Sequence, residues 1–198
     1  MTRVIGITGS IAVGKSTVTY YLQTHGYQVL DADEISRHAL DKGTKCYKRV
    51  KEMFDCLDEH GEINRACLGQ IVFHDQDKKK QLEDIIHPYV IEKLKEGIQQ
   101  CQYPFIFLDI PLLFEAHLEH LCDKIIVVYV DEKTQMKRLM KRNSISQEDA
   151  MHLMSQQISI EKKKDLGDFI LDNRQNFQDL YDDIERVLKE LKNETIYE

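Results

Sequence analysis

The residues with the clearest chemical meaning lie near the start of the chain, in a glycine-rich segment that ends in lysine, serine and threonine. It matches the pattern G-x-x-x-x-G-K-[ST] in full and consists of Gly9, Ser10, Ile11, Ala12, Val13, Gly14, Lys15, Ser16 and Thr17. The glycines let the backbone curl so that successive N–H groups, and the dipole of the following helix, face phosphate oxygens. The Lys15 ammonium suits the β- and γ-phosphates, and the Ser16 hydroxyl suits Mg²⁺. We call residues 9–17 the phosphate loop, which predicts a nucleoside triphosphate site rather than a structural turn with a surface lysine.

The phosphate loop alone does not distinguish between the classes of protein that hold nucleoside triphosphates. A GTPase would carry N-K-x-D for guanine recognition and D-x-x-G after a strand, but the chain has no N-K-x-D and residues 109–112 are D-I-P-L. At 198 residues, the chain leaves no room for the added modules of most motor ATPases. A small-molecule kinase is the class that remains. A nucleoside or nucleotide kinase and a non-enzymatic nucleotide-binding regulator stay open as alternatives.

An acidic pair follows the second predicted strand and offers a base for phosphoryl transfer. Ligands of open α/β sheets bind at the carboxyl ends of the strands, so Asp33 is expected to face the crevice that receives the phosphates. A carboxylate there can orient an attacking hydroxyl or accept its proton. The alternative is that Asp31 or Asp33 caps the following helix, because aspartate is a favoured N-cap residue.

A basic helix late in the chain offers cations for the triphosphate. Arg138 and Arg142 are one helical turn apart, so they share a face that could close over the phosphates and stabilise charge in the transition state. An ordinary solvated face is the alternative. The lysine runs at residues 78–80 and 162–164 are interpreted as solvated faces without a role.

The elements that must position these residues follow the pattern of an α/β protein. Short apolar strands are predicted at residues 4–8, 27–30, 105–109, 125–130 and 168–171. Helices are predicted at 15–24, at 134–142, at 147–164 as a pair or one long helix, and over an apolar stripe from Phe177 to Leu191. Residues 34–102 are mostly helical in pattern, with breaks at 42–44, 59–61 and 87–88. The strand–helix–strand unit at the start indicates a parallel sheet.

Composition excludes several classes of protein. Apolar residues make up 42% of the chain and charged residues 31%, which suits one packed domain. The 27 basic and 34 acidic residues give a net charge of −7, which argues against a nucleic-acid-binding protein. No stretch approaches the roughly 18 apolar residues that cross a bilayer, and five cysteines without a C-x-x-C pair indicate thiols in a reducing compartment. We therefore expect a cytoplasmic protein with no nucleic-acid, membrane or obligate protein partner.

Several further segments, taken in chain order, resemble the dephospho-coenzyme A kinase family over nearly the whole chain. They are residues 5–9 before the phosphate loop, 31–37, 61–65 with Leu68, 82–88, 109–115, 138–142, Gln157 and 172–173. The sequences H-P at 87–88 and P-L-L-F-E at 111–115 are weak individually, but the order and spacing of the whole set are highly specific. The chain departs from the family pattern at Val13, usually a small hydroxyl residue, and at Leu153, commonly an arginine of the lid.

The resemblance implies an activity and a set of site residues. The family transfers the γ-phosphoryl group of ATP to the ribose 3′-hydroxyl of dephospho-coenzyme A, giving coenzyme A and ADP. By this resemblance Asp33 is the expected base, and Lys15, Arg138 and Arg142 are the expected catalytic cations. The expected acceptor-binding residues are Asp33, Arg37, Arg65, His87, Pro111, Leu112 and Leu113. The alternatives are that Arg65 pairs with a carboxylate, that the leucines are core, and that His87 supports a turn before Pro88.

The resemblance also implies an architecture. It is the phosphate-loop kinase fold, a five-stranded parallel sheet flanked by helices, with a helical substrate-binding insertion and a lid over the nucleotide. On this chain, the core is expected at residues 1–60, 103–136 and 165–198, the substrate-binding region at about 61–102, and the lid at about 137–164.

Overall fold

A five-stranded sheet carries the phosphate loop at the end of its central strand. In this computed structural model, which describes residues 2–196, the strands are β1 (Arg3–Thr8), β2 (Gln28–Asp31), β3 (Phe105–Asp109), β4 (Lys124–Tyr129) and β5 (Phe169–Asp172). Their order across the sheet is β2-β3-β1-β4-β5. Within this parallel sheet, Ile5 of β1 lies opposite Phe107 of β3, and Ile7 lies opposite Ile126 of β4. The predicted α/β class and five-stranded parallel sheet are confirmed.

Helices account for most of the remaining chain. They are α1 (Lys15–Thr24), α2 (Ala32–His38), α3 (Lys45–Met53), α4 (Arg65–His74), α5 (Gln76–Gln100), α6 (Glu132–Asn143), α7 (Gln147–Ser155), α8 (Ile160–Leu166) and α9 (Phe177–Ile196). The chain divides into two compact units: Met1–Leu30 with Cys101–Glu198, which we call the sheet unit, and Asp31–Gln100, which we call the helical unit. The helical unit includes most of the predicted region 61–102 and begins earlier in the chain, at Asp31.

Burial explains the apolar character of the central strands. Ile5, Ile7 and Phe107 are fully buried, as expected of parallel strands covered on both faces. The buried members of the predicted stripe of α9 are Leu180, Ile184, Val187, Leu188 and Leu191, and Tyr181 is half-buried. The first predicted member of the stripe, Phe177, is instead 66% exposed, because it is the first residue of the helix and lies at the edge of a surface cleft.

Side-chain N-caps determine where α6 and α8 begin. The Asp131 carboxylate accepts from the N–H of Thr134, so α6 begins slightly earlier than predicted. The Ser159 hydroxyl accepts from the N–H of Lys162 and starts α8. This second start separates α7 from α8, so the predicted segment 147–164 is a helix pair.

The long helix α5 organises the helical unit. It packs against α2, α3 and α4, and its buried residues are Ile85, Ile86, Val90 and Leu94. The predicted break at 87–88 is wrong, because α5 continues through Pro88. A proline inside a helix costs about 3 kcal/mol, and apolar burial on both sides of Pro88 offsets this cost. The predicted breaks at 42–44 and 59–61 do lie outside the helices.

Within residues 2–196, no helix combines the length and apolar character needed to cross a membrane.

Candidate active site

The phosphate loop turns sharply between β1 and α1, and two of its residues have left-handed backbone. Ala12 has a φ of 63° and Gly14 a φ of 90°. A Cβ atom at Gly14 would collide with the side-chain amide of Asn173, and a Cβ atom at Gly9 would lie 2.8 Å from the carbonyl oxygen of Val128. Both glycines are therefore required by the close approach of neighbouring groups, in addition to the turn itself.

The start of α1 leaves backbone donors for an anion. The N–H of Thr17 donates to the carbonyl of Gly14 at 3.0 Å, so the N–H groups of Lys15 and Ser16 precede this first helical bond. The positive end of the helix dipole lies at the same place. Ser16 is exposed there. This end of α1 can hold phosphate oxygens.

Side chains from outside the loop hold two of its carbonyl groups. Asn173, which follows β5 and is buried, donates from Nδ2 to the Val13 carbonyl at 2.8 Å. Gln135 of α6 donates from Nε2 to the Ile11 carbonyl at 2.9 Å. Carbonyl oxygens repel an anion, so these bonds help the loop to present N–H groups to a phosphate instead. The sequence predicts neither bond, although Asn173 lies in a segment that carries the family resemblance, because both side chains act through contacts distant along the chain.

The segment between α7 and α8 is bonded to the same loop. Gln157 Oε1 accepts from the N–H of Ile11 at 2.8 Å, and the Ser10 hydroxyl donates to the Ile158 carbonyl at 3.2 Å. The Ile11 N–H is therefore engaged by protein. The donors available to phosphate lie further along the loop, towards α1.

An ion pair lies where β1 and β3 end. The ammonium of Lys15 pairs with Oδ1 of Asp109, the last residue of β3, and Asp109 is 4% exposed. This pair fixes the Lys15 side chain on the β3 side of the loop. Asp109 had a signal in the sequence that pointed to a role, because an aspartate that ends an apolar strand is at the edge where α/β sheets bind ligands.

A second ion pair joins α8 to the loop after β3. The buried Lys163 Nζ lies 2.9 Å from Glu115 Oε1 and donates to the Pro111 carbonyl at 3.0 Å. Burial lowers the pKa of Lys163; Glu115 opposes this shift, and the positive charge of Lys15 adds to it.

The prediction that residues 162–164 form a solvated face is wrong for Lys163. Lys162 and Lys164 are exposed, as predicted. Ile160 and Lys163 are both buried and three residues apart, so they share the inner face of α8. The run of three lysines obscured this spacing.

A cleft of about 510 Å³ opens beside the phosphate loop at the start of α9. Arg138, Asn173 and Phe177 are among its lining residues. Arg138 donates to the Asn173 carbonyl at 2.8 Å, which places its guanidinium next to the loop. Arg142 is not brought to the loop: it is exposed, and its Nε donates to the side chain of the adjacent Asn143 at 3.0 Å.

The turn after β3 contains both buried and exposed residues. The Pro111 carbonyl accepts from the Thr8 hydroxyl at 3.1 Å in addition to Lys163. Leu113 is fully buried, and Leu112 is 45% exposed. Leu113 therefore belongs to the core of the sheet unit, while Leu112 is available to a ligand.

In the helical unit, Asp31 rather than Asp33 caps α2. The Asp31 carboxylate accepts from the N–H groups of Asp33 and Glu34 at 2.8 and 3.0 Å. The Asp33 side chain is exposed in the first turn of α2. The cap and the predicted base are thus different residues.

Within the helical unit, one arginine contacts Asp33 and a second arginine contacts the first. Arg37 donates from Nε to the Asp33 carbonyl at 3.2 Å, and Arg65 donates from a terminal nitrogen to the Arg37 carbonyl at 2.9 Å. Arg65 also lies 3.3 Å from Oδ1 of Asp41. Both arginines are exposed. His87 is also exposed, but it lies inside α5, where there is no turn for it to support.

Known proteins are similar to this chain in sequence and in fold. The family model described as dephospho-CoA kinase matches residues 3–179. The dephospho-CoA kinase of Staphylococcus saprophyticus is 45% identical over 194 residues, covering 96% of this chain and 94% of its own. The solved dephospho-CoA kinase of Campylobacter jejuni is 32% identical with a TM-score of 0.76, and covers 98% of this chain and 100% of its own. A solved structure from Thermus thermophilus has a TM-score of 0.83 at 31% identity, with 98% and 97% covered. The chain belongs to the dephospho-CoA kinase family.

Proposed function

We propose that this protein transfers the γ-phosphoryl group of ATP to the ribose 3′-hydroxyl of dephospho-CoA, giving CoA and ADP. Family membership supports this activity, and the relatives from S. saprophyticus and C. jejuni carry the name of this kinase. The observation that carries the proposal is the phosphate loop, whose complete motif is braced by Asn173 and Gln135 and whose Lys15 is set against a buried aspartate. Such a loop at a helix N-terminus suits a triphosphate.

In this proposal the triphosphate lies on the N–H groups at the start of α1, and Lys15 neutralises the β- and γ-phosphates. The purine base occupies the cleft beside Arg138 and Phe177. An aromatic ring and a guanidinium plane both stack on bases, and this gives a reason for the exposure of Phe177.

Mg²⁺ accompanies ATP in this family, and the residues present suit it. The Ser16 hydroxyl and the Asp109 carboxylate offer oxygen ligands, which Mg²⁺ prefers. Among residues 2–196, no cluster of three or more His, Cys, Asp or Glu could hold a metal ion. We therefore assign most of its coordination to the phosphates of ATP, whose charge it neutralises.

We assign the acceptor to the exposed residues Asp33 and Arg37 of α2 and Arg65 at the start of α4, which donates to the Arg37 carbonyl. Guanidinium groups form charge-assisted hydrogen bonds with a pyrophosphate such as that of dephospho-CoA. The Asp33 carboxylate is exposed and is not the helix cap, which suits a base for the 3′-hydroxyl. His87 and residues 111–113 remain predicted contacts, of which Leu112 is the exposed apolar one.

The proposed step is a direct transfer. The 3′-oxygen forms a bond to the γ-phosphorus as the bond to the β,γ-bridging oxygen breaks, and the hydroxyl proton passes to Asp33. ADP leaves with the bridging oxygen. Because the transition state is loose, alignment and charge stabilisation carry most of the catalysis, and Lys15 and Arg138 supply positive charge. The predicted lid at 137–164 would exclude water, which competes with the 3′-hydroxyl.

We infer a cytoplasmic setting in which ATP and dephospho-CoA are the required partners. The five cysteines are free thiols, which suits a reducing compartment. The proposed reaction needs no other protein, and the net charge of −7 does not favour nucleic acid.

An assay of ADP release tests the proposed function. The protein receives Mg·ATP with dephospho-CoA, AMP, adenosine or no acceptor, and the Lys15→Ala variant controls for contaminating kinases. We expect ADP release only with dephospho-CoA, and a product with the mass of CoA. Release with AMP or adenosine would assign a nucleoside or nucleotide kinase instead. ATP binding without release with any acceptor would assign a regulator.

A further inference from the structure

Lys163 is an unusual residue in the sheet unit, because it is a lysine with no exposed surface. Removing an ammonium from water is unfavourable unless partners compensate for the lost hydration. Its neighbours Lys162 and Lys164 are exposed, so the helix as a whole does not force the burial. Because burying the Lys163 ammonium is unfavourable, we look for its role in the segments that the ammonium joins.

The Lys163 ammonium connects three segments. Its Nζ donates to the Pro111 carbonyl at 3.0 Å and lies 2.9 Å from Glu115 Oε1, which also accepts from the N–H of Ile158 at 2.9 Å. The Thr8 hydroxyl donates to the same Pro111 carbonyl at 3.1 Å. The end of β1, the loop after β3 and the segment 158–163 therefore meet around one cation.

These three segments carry the groups that handle phosphate. Thr8 directly precedes the phosphate loop, and Pro111 follows closely on Asp109, the partner of Lys15. The segment before α8 is bonded to the loop through Ser10 and Ile11. Oε2 of Glu115 is buried without a hydrogen-bond partner among the described residues, so the carboxylate depends on Lys163 and Ile158 for compensation.

We propose that Lys163 is a positioning residue for ATP: with Glu115 and the Pro111 carbonyl, it fixes residues 157–163 against the phosphate loop and steadies the loop that carries Asp109. Lys163 does not touch the nucleotide in this proposal. The segment 157–163 is then a fixed wall of the nucleotide site. The inference rests on the proposed ATP site but not on the identity of the acceptor.

The test compares Lys163→Met with Lys162→Met, which removes the same charge from the exposed side of the same helix. ATP affinity is measured by calorimetry without acceptor, and KM values are measured for ATP and for dephospho-CoA. We expect Lys163→Met to weaken ATP binding about tenfold, which corresponds to roughly 1.4 kcal/mol, and to raise the KM for ATP but not for the acceptor. Lys162→Met should bind ATP as the wild type does.

A second variant separates positioning from folding. Lys163→Met leaves the Glu115 charge without its cation, so Lys163→Met combined with Glu115→Gln removes both buried charges and should recover the melting temperature. The proposal predicts that ATP binding stays about tenfold weaker in this double variant, because the link to Pro111 is still missing. Three results would each overturn the proposal. The double variant could bind ATP with wild-type affinity, or Lys162→Met could lose as much ATP affinity as Lys163→Met. The third result is that neither Lys163 variant folds. A wild type that binds ATP but does not phosphorylate dephospho-CoA would refute the proposed function and leave this result intact.

Discussion

At the scale of single residues, the site depends on opposite charges held at low exposure. Lys15 faces Asp109 at the end of β3, and Lys163 of α8 faces Glu115 in the loop after β3. Charges of this kind are expensive to bury and weaken a site strongly when one partner is removed. They are suited to phosphoryl transfer, in which charges held in position neutralise the triphosphate.

Replacing Lys15 tests the cation of the loop. We expect Lys15→Ala to lower kcat/KM about 10²–10³-fold and to weaken ATP binding, because the ammonium is the main positive side chain of the phosphate loop. Steady-state kinetics and calorimetry measure the two effects. The melting temperatures of the wild type and Lys15→Ala control for the loss of the buried pair: a lower melting temperature with unchanged ATP affinity would make the role of Lys15 structural.

Replacing Asp33 tests the base. Asp33→Asn should lower kcat about 10²–10⁴-fold and leave ATP affinity unchanged, since Asn cannot accept the hydroxyl proton. Asp31→Asn is the matched control, because asparagine caps a helix as well as aspartate and α2 should persist. Near wild-type turnover in Asp33→Asn would contradict its assignment as base.

The phosphate loop could be predicted in full from the sequence, whereas the bonds that Asn173, Gln135 and Lys163 make across the fold could not. The phosphate loop was readable because its spacing is fixed by backbone geometry. Asn173, Gln135 and Lys163 contribute through contacts with residues more than a hundred positions away or on another element, such as the bond from Asn173 to Val13. No local pattern encodes such contacts.

At the scale of elements, the strands were predictable and the helix boundaries less so. Continuous apolar runs gave β3 with its observed ends, because strands buried on both faces need such runs. Pro88 misled the prediction for α5, since the rule that proline breaks a helix is local and the packing of α5 against three other helices is not. The start of α8 was signalled only by Ser159, one serine among several.

The continuity of α5 has a measurable consequence. Pro88→Ala restores a backbone donor inside the helix and removes the steric conflict of the ring, so we expect the free energy of unfolding to rise by about 2 kcal/mol. Urea denaturation measures it. Glu92→Ala, at an exposed position one turn later in α5, should change stability by less than about 0.5 kcal/mol. A Pro88→Ala variant less stable than the wild type would show that the proline itself is favourable there.

At the scale of the whole molecule, a chain of net charge −7 binds polyanionic substrates through local groups of cations and helix dipoles. Its carboxylates also set its behaviour in acid. Hydrogen bonds from the Arg174 side chain lower the pKa of Asp172, and the backbone N–H of Thr134 lowers that of Asp131. A lowered pKa in the folded state stabilises the fold above the ordinary value for aspartate, and this stabilisation is lost as pH falls through the folded value.

Acid unfolding therefore provides a test of these pairs. We expect the melting temperature to be nearly level from pH 7 to about 5 and to fall steeply below about pH 4. Asp172→Asn should melt at a lower temperature than the wild type at pH 7, and the difference should shrink at an acidic pH below the lowered pKa of Asp172, where the wild-type carboxylate is protonated. Asp55→Asn, at an exposed position, controls for the removal of one charge. A difference that is the same at both pH values would rule out the ion pair as its source.

The central claim is the transfer of phosphate from ATP to dephospho-CoA, and the fate of a labelled γ-phosphate tests it most directly. The protein is incubated with γ-³²P-ATP and dephospho-CoA, and the products are separated by chromatography. We predict that the label appears in a product that migrates with CoA and is released by a 3′-nucleotidase, and that no such product forms with Lys15→Ala. Label found only in inorganic phosphate, with or without the acceptor, would contradict the account.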